Sequence, residues 1–408
     1  MSALIESNGI TFTDRTIIPV WERVLDGERL SPADGLALFR SDDFTAIGEM
    51  ADHAARARSG EKVYFVINTH INPTNVCVMN CTFCDYVSDR NDAGAWEMTT
   101  EEILAHITPE MTEVHIVGGH HPDWPFEHHE GYIRAIHEAF PRVQIKAFTA
   151  AEIDYFAKRW KLDAGEILDR LIDAGLSAMP GGGAEIFSPR VAKALHYIGK
   201  AQSDRWLEIH GMAHARGIPS NATMLYEHIE TFTERVEHLR LLREQQDTSG
   251  GFMAFIPLEY QPSEAQLVRR HASALDDLKT IAVSRLMLDN FPHIKAYWIM
   301  LQEDTAGIAL NFGADDIDGT IETERIAHAA DARSPVGNTR AKLVRLIRDA
   351  GKVPVERDAR YTELHVYSAE EALAEAAGTY RPIRRGRVSP RAGQPLAKNV
   401  AFDPAQNA

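Results

Sequence analysis

Hydrophobic and polar positions follow two alternating periods along this chain. Short runs rich in β-branched and aromatic residues predict strands at 63–72, 113–117, 144–149, 176–180, 219–226, 252–258 and 294–301. Between them, apolar residues recur at helical spacing. Tyr132, Ile133, Ile136, Ala139 and Phe140 form one face, and Ile167, Leu168, Leu171 and Ile172 a second. Val236, Leu239 and Leu242 form a third, and Leu275, Leu278, Ala282 and Leu286 a fourth. Thr99 with Glu102 reads as a capping box, and Ser188 before Pro189 as an N-cap and first-turn pair.

Strand–helix alternation over about 240 residues predicts parallel strands with right-handed crossovers. About seven such units predict an α/β fold, a (β/α) TIM-like barrel, complete or partial. A doubly wound open sheet is the competitor. Polar and Gly-rich clusters follow directly after the strands, where a barrel places its chemistry. The expected division is an N-terminal helical extension over 1–60, the barrel over 61–345, and a C-terminal extension and tail over 346–408. Leu36, Leu38, Phe39, Phe44 and Ile47 are the expected packing residues of the first part. The basic, Pro-containing stretch 381–391 and the polar end read as a tail.

The 408 residues are 44% hydrophobic, ordinary for a globular chain. Lys and Arg number 43 against 59 Asp and Glu, a net charge of −16 that argues against a nucleic-acid partner. It leaves room for a small acidic ligand in a locally basic pocket. No uncharged apolar run approaches the roughly 20 residues of a membrane helix, so no membrane partner is expected. The start, MSALIESNGITFTDR, lacks the order of a secretory signal, so a cytoplasmic location is expected.

Cysteine changes the picture most. The chain has three, Cys77, Cys81 and Cys84, in NPTNVCVMNCTFCDY. A disulfide framework would use an even number spread along the chain, so clustered thiols point to a metal. A [4Fe–4S] cluster needs four ligands, commonly Cys; with three, one iron is left to bind something else. The alternative is a structural zinc site completed by His70 or Asp85, although such sites generally use two ligand pairs.

Two glycine clusters follow. Gly118 and Gly119 end the second strand in VHIVGGHHPDWPFEHH, where glycine permits close approach to the backbone. The five histidines in 115–129 lack the H-E-x-x-H spacing of a metal site. MPGGGAEIFSPRV lacks the Lys-Ser/Thr of a phosphate loop, and Glu185 is its functional candidate. Thr149 and Glu152 end the third strand. Asn221, Thr223, Tyr226 and His228 end or follow the fifth, and Pro257, Glu259, Tyr260 and Gln261 end the sixth. Only every second strand residue can face a lumen, so packing and ligand roles compete at each.

The C-x3-C-x2-C motif after the first strand resembles the signature of the radical S-adenosylmethionine (SAM) enzymes. That resemblance implies a [4Fe–4S] cluster on Cys77, Cys81 and Cys84, whose fourth iron chelates SAM as co-substrate. It implies cofactor contacts for Phe83, near the adenine, and for Gly118 and Gly119; Tyr86, Glu185 and Asn221 are further cofactor-contact candidates, Glu185 competing with a role as a helix N-terminal charge. Longer blocks, VHIVGGHHPDWPFE, IKAFTAAEIDYFAK, PGGGAEIFSPRV, SNATMLYEHIET and GGFMAFIPL, look like the aminofutalosine synthase family of the futalosine menaquinone pathway, over roughly residues 60 to 345. Relatives are the dehypoxanthine futalosine cyclases and the radical SAM half of deazaflavin cofactor synthesis. Asp85 and Tyr86 after the third Cys, NPTNV before the first and YEHIET after the fifth strand depart from the usual pattern.

The implied reaction adds the 5′-deoxyadenosyl radical to the enolpyruvyl ether of 3-hydroxybenzoate, with rearrangement and decarboxylation, giving aminofutalosine. An electron donor such as flavodoxin or ferredoxin is implied. The aryl acid substrate carries carboxylates, so a cation or histidine should reach the lumen. His120, His121 and His228 are candidate catalytic residues. Lys146, Thr149, Thr223, Tyr226 and Glu259 are candidate substrate contacts. An apolar lumen excluding water is expected.

Overall fold

The computed structural model describes residues 4–378 apart from 80, 198–199, 201, 263–266 and 269. The stretch 381–391 and the expected tail lie outside the described residues. The N-terminal part is not helical throughout. Strands β1 (Ile5–Ser7) and β2 (Ile10–Phe12) pair antiparallel. Asn8 and Gly9 join them at φ 47° and 84°. Both positions of such a two-residue turn need positive φ, which Asn-Gly supplies. Three helices follow, Ile18–Leu25, Pro32–Arg40 and Phe44–Ser59. Leu38, Phe39 and Ile47 are buried, and Phe39 stacks on Phe232 of a later helix.

The barrel is complete. Its first strand is split into β3 (Lys62–Val66) and β4 (Asn68–Ile71). Then come β5 (Glu113–Ile116), β6 (Gln144–Ala147), β7 (Leu176–Ala178), β8 (Ser220–Tyr226), β9 (Phe252–Glu259), β10 (His293–Ile294) and β11 (Asp316–Gly319). Neighbours β4 to β7 and β8 to β10 pair in parallel. Parallel bridges Met179 to Ser220 and Lys295 to Asp316 join the two arcs, and β11 returns to β3. Eight strand positions therefore close a ring.

The expected single strand over 63–72 breaks at Ile67 because a strand from the C-terminal part enters there. β12 (Val353–Arg357) pairs parallel to β3, and β13 (Glu363–Val366) pairs antiparallel to β12. β4 is left to pair with β5. The division expected at 345 falls inside the helix Arg340–Asp349. The strand expected over 294–301 shrinks to His293–Ile294, and Trp298–Leu301 is helical. A short apolar run does not reveal its own period, and here the Trp298 indole donates to the Gly319 carbonyl at 3.0 Å. Leu275 and Ala139, expected on buried faces, are exposed. The capping box at Thr99 and the cap at Ser188 form as expected.

Residues paired in register share a face. Val114, Ile116, Ile145 and Ala147 face the helices and are fully buried. The opposite face carries Asn68, Glu113 and Gln144 in one register row and His70, His115 and Lys146 in the next. The lower lumen is thus charged rather than apolar. Lys146 Nζ lies 2.8 Å from Glu113, Arg357 Nε 2.7 Å from Asp316, and Lys295 Nζ 3.1 Å from Asp318. Each cation is paired with a carboxylate, which is how charges survive burial.

Candidate active site

The chain leaves β4 and enters the cysteine loop above the upper rim. The Tyr86 hydroxyl donates to the Thr74 carbonyl at 2.9 Å, and its ring meets Trp96 edge-on. The Trp96 indole donates to the Asn72 carbonyl at 3.1 Å. Tyr86 thus braces the loop from behind. The amide of Cys77 donates to Ser88, and that of Val78 to His120. Cys77 Sγ lies 3.7 Å from His120 Nδ1.

The two glycines after β5 serve this contact. A Cβ on Gly119 would lie 2.2 Å from the Val76 carbonyl oxygen. Only glycine lets the second strand's loop lie flat against the cysteine loop. The Gly119 amide donates to Thr74 at 2.8 Å, and the Gly118 amide points at Glu152 Oε1 at 3.4 Å. Burial pushes the Glu152 carboxyl up to about 7. Thr149 caps the helix Ala150–Trp160 in a capping box with Glu152, which occupies its hydroxyl.

Burial also pushes the thiols up, Cys84 to about 12 and Cys81 in the same direction. Iron would itself deprotonate a ligating thiol, and Lys200 adds positive charge beside Cys81 and Cys84. Its ammonium lies 2.6 Å from Glu185 and 5.3 Å over the Phe83 ring. Burial opposes that charge, but Glu185 and the sulfurs of Cys81 and Cys84 outweigh it and hold Lys200 protonated. Lys200 lies outside every motif read from the sequence. Glu185 itself adopts φ 45°, unusual for a non-glycine residue and a form of stored backbone strain.

The donor set fits a cluster better than a single ion. Three thiols come from one loop, and the chain holds no fourth. Among the described residues, no three His, Cys, Asp or Glu side chains converge where one metal ion could sit. In a cluster each Cys meets its own iron, so such convergence is not required. His70, one of the two candidate fourth ligands of the zinc alternative, instead faces His115 with ring centroids 4.5 Å apart.

The remaining candidates divide by strand parity. Along β8, Ser220 meets His210 and the Tyr226 hydroxyl donates to Asp277 at 2.7 Å, both on the helix side. Tyr226 therefore points away from the lumen, a correction that period-two alternation requires. Asn221 and Thr223 face inward. The Asn221 Oδ1 is buried without a partner among the described residues, while the Thr223 hydroxyl donates to the Gly181 carbonyl at 2.7 Å. A Cβ on Gly181 would lie 2.7 Å from the Ala222 backbone, so this glycine too serves close packing.

His121 accepts from the amides of Asp123 and Trp124, and its Nε2 lies 3.1 Å from Glu97. His228 Nδ1 accepts from Ile229, and its Nε2 meets the Leu225 carbonyl. His228 is committed to local contacts and His121 to Glu97, which bridges Thr74 at the base of the cysteine loop, whereas His120 reaches Cys77 itself. Glu259 accepts from the Ala272 amide at 2.9 Å and from Gln261; burial, with Asp277 nearby, pushes it up to about 8. Lys146 stands in the row of His70 and His115, and its ammonium reaches down to Glu113 in the floor.

Residues 71–242 match the model of the radical SAM superfamily, and residues 249–369 that of the CofH/MqnC C-terminal region. The chain is 46% identical over 368 residues to an aminodeoxyfutalosine synthase of Thermus thermophilus, covering 88% of this chain and 99% of that one. It is 41% identical to the aminodeoxyfutalosine synthase of Streptomyces coelicolor, over 86% of this chain and 94% of that one. A cyclic dehypoxanthine futalosine synthase of the same organism is 36% identical, over 86% and 89%. Among solved structures, methylornithine synthase superposes with a TM-score of 0.65 at 19% identity, over 82% of this chain and 97% of that one, a likeness of fold. Among the described residues, no helix is long and apolar enough to cross a membrane. With its three-cysteine loop above a complete barrel, the chain belongs to the radical SAM superfamily, enzymes that use a [4Fe–4S] cluster and SAM, and within it to the group of the aminodeoxyfutalosine synthases and their relatives.

Proposed function

We propose that this enzyme joins the 5′-deoxyadenosyl group of SAM to the enolpyruvyl ether of 3-hydroxybenzoate, with rearrangement and loss of a carboxylate, to form aminofutalosine. Carrying this reading is near-full-length identity to two aminodeoxyfutalosine synthases, at 46% and 41%, against 36% to a cyclic dehypoxanthine futalosine synthase. Cys77, Cys81 and Cys84 would hold the cluster, and the absence of a fourth Cys leaves one iron for SAM. The bound cluster supplies the electron that cleaves the SAM sulfonium.

The chain's own residues position and enclose the reactants. Phe83 offers an aromatic face beside the cysteines for the adenine. Glu185, in the loop after β7, and Asn221, at the start of β8, offer acceptor oxygens, one of Glu185's already accepting from Lys200. Gly118 and Gly119 keep the second strand's loop against the cysteine loop. Holding two reactants at near-attack distance can supply about 7–11 kcal/mol toward such a step. An electron donor such as flavodoxin or ferredoxin completes the system.

The test is anaerobic turnover of reconstituted enzyme with SAM, a reductant, and either the ether or dehypoxanthine futalosine. Product with the ether alone supports the reading. Turnover with dehypoxanthine futalosine and an untouched ether would replace it with the cyclase reaction.

A further inference from the structure

We propose that His70 and His115 form the seat for a carboxylate of the aryl acid substrate, a binding site that rests on the reaction proposed above. The two residues are partners in the β4–β5 register. Their rings lie 4.5 Å apart, and Tyr297 stacks on His70 at 6.4 Å.

Their position follows from chain direction. Asn68 and Glu113 belong to the charged floor, and His70 and His115 stand one inward-facing position higher on the same strands. The cysteine loop and Gly118 follow at the tops. The groups whose charges reach the pair come from all around the barrel: Glu113 on β5, Lys146 on β6, Lys295 after β10, Asp318 on β11, and Glu324 beyond it. Only a lumen position meets all of these. His115 also keeps part of its surface accessible within this ring of neighbours, so it borders open space.

The floor cannot itself bind the acid. Lys146, Lys295 and Arg357 are each spent on a carboxylate. The histidines are not: His70 Nε2 and His115 Nδ1 are buried with no hydrogen-bond partner among the described residues. Orphaned buried ring nitrogens are costly unless a ligand completes them. Burial holds both imidazoles below their usual range, so the histidine pair itself is held neutral. An arriving carboxylate favours an imidazolium beside it, so binding should take up a proton and weaken as pH rises.

The test is anaerobic calorimetry on the SAM-loaded holoenzyme with three probes: the ether, 3-hydroxybenzoate and the neutral 3-hydroxybenzamide. Both acids should bind wild type more tightly than the amide, with proton uptake seen as buffer-dependent heat, and more weakly at pH 8 than at pH 6. His70→Gln and His115→Gln should each weaken the acids about tenfold. SAM and amide affinity should stay unchanged, which also reports correct folding. Equal acid affinity in folded variants overturns the seat, as does an amide that binds wild type as tightly as the acids, or no acid binding at all. Should both variants fail to bind SAM, the acid–amide contrast and the proton uptake of wild type decide alone. The benzoate probe needs no turnover, so an intact seat with no product would sink the reaction assignment and leave the seat standing.

Discussion

Replacing Glu113 with Gln should cost the fold about 3 kcal/mol at neutral pH. Glu113 is fully buried at the barrel floor, 2.8 Å from Lys146, 2.9 Å from Asn68 and 4.0 Å from Arg357. Burial alone would raise its carboxyl, but Lys146, Arg357 and Lys295 outweigh that and hold it at about 2, against an ordinary value of 4.5. That difference corresponds to about 3 kcal/mol. A depressed carboxyl stabilises the fold above its unfolded value and loses that contribution as pH falls from about 4.5 toward about 2. Between pH 7 and pH 3 the advantage over Glu113→Gln should shrink by about 2 kcal/mol. Lys146 pulls the other way: burial holds its ammonium below its usual range despite Glu113. The carboxylate's figure is therefore a ceiling for the pair, and the double variant Glu113→Gln with Lys146→Met should be more stable than Glu113→Gln alone. Urea unfolding followed by tryptophan fluorescence reads all three proteins. A neutral-pH loss under about 1 kcal/mol, a loss independent of pH, or no recovery in the double variant would refute the reasoning.

Other expectations bear on the site. Gly119→Ala drives a methyl into the Val76 carbonyl and should lower iron content per chain while leaving far-ultraviolet circular dichroism unchanged. Lys200→Gln removes the positive charge beside Cys81 and Cys84 and should lower the midpoint potential of the cluster, read by redox titration with electron paramagnetic resonance. Tyr226→Phe breaks the bond to Asp277 and should cost about 1–2 kcal/mol of stability with KM for the aryl acid unchanged; a raised KM would return Tyr226 to the lumen.

The barrel was legible because its outer face follows two simple periods. Val114, Ile116, Ile145 and Ala147 read as strand, and Leu168, Leu171 and Leu239 as helix. The cysteine loop was legible because three thiols in eight residues have few other uses. The break at Ile67 was not, since it depends on β12 arriving from nearly 300 residues away. Trp298–Leu301 misled because an apolar run buried on all sides has no period. The Asn8-Gly9 turn and the outward Tyr226 were readable from turn chemistry and strand parity, and alternation over 68–71 and 113–116 would have paired His70 with His115. Lys200 carried no local signal, because its role comes from packing beside the cysteines.

The measurement that tests the account most directly follows one carbon. Anaerobic enzyme is given SAM labelled with 13C at the 5′ position, a reductant and the enolpyruvyl ether, and products are analysed by mass spectrometry and NMR. The account predicts that the label ends in a new carbon–carbon bond within a product containing the aryl acid, and that Cys81→Ala forms none. Label recovered only in 5′-deoxyadenosine, with the ether intact, would contradict it.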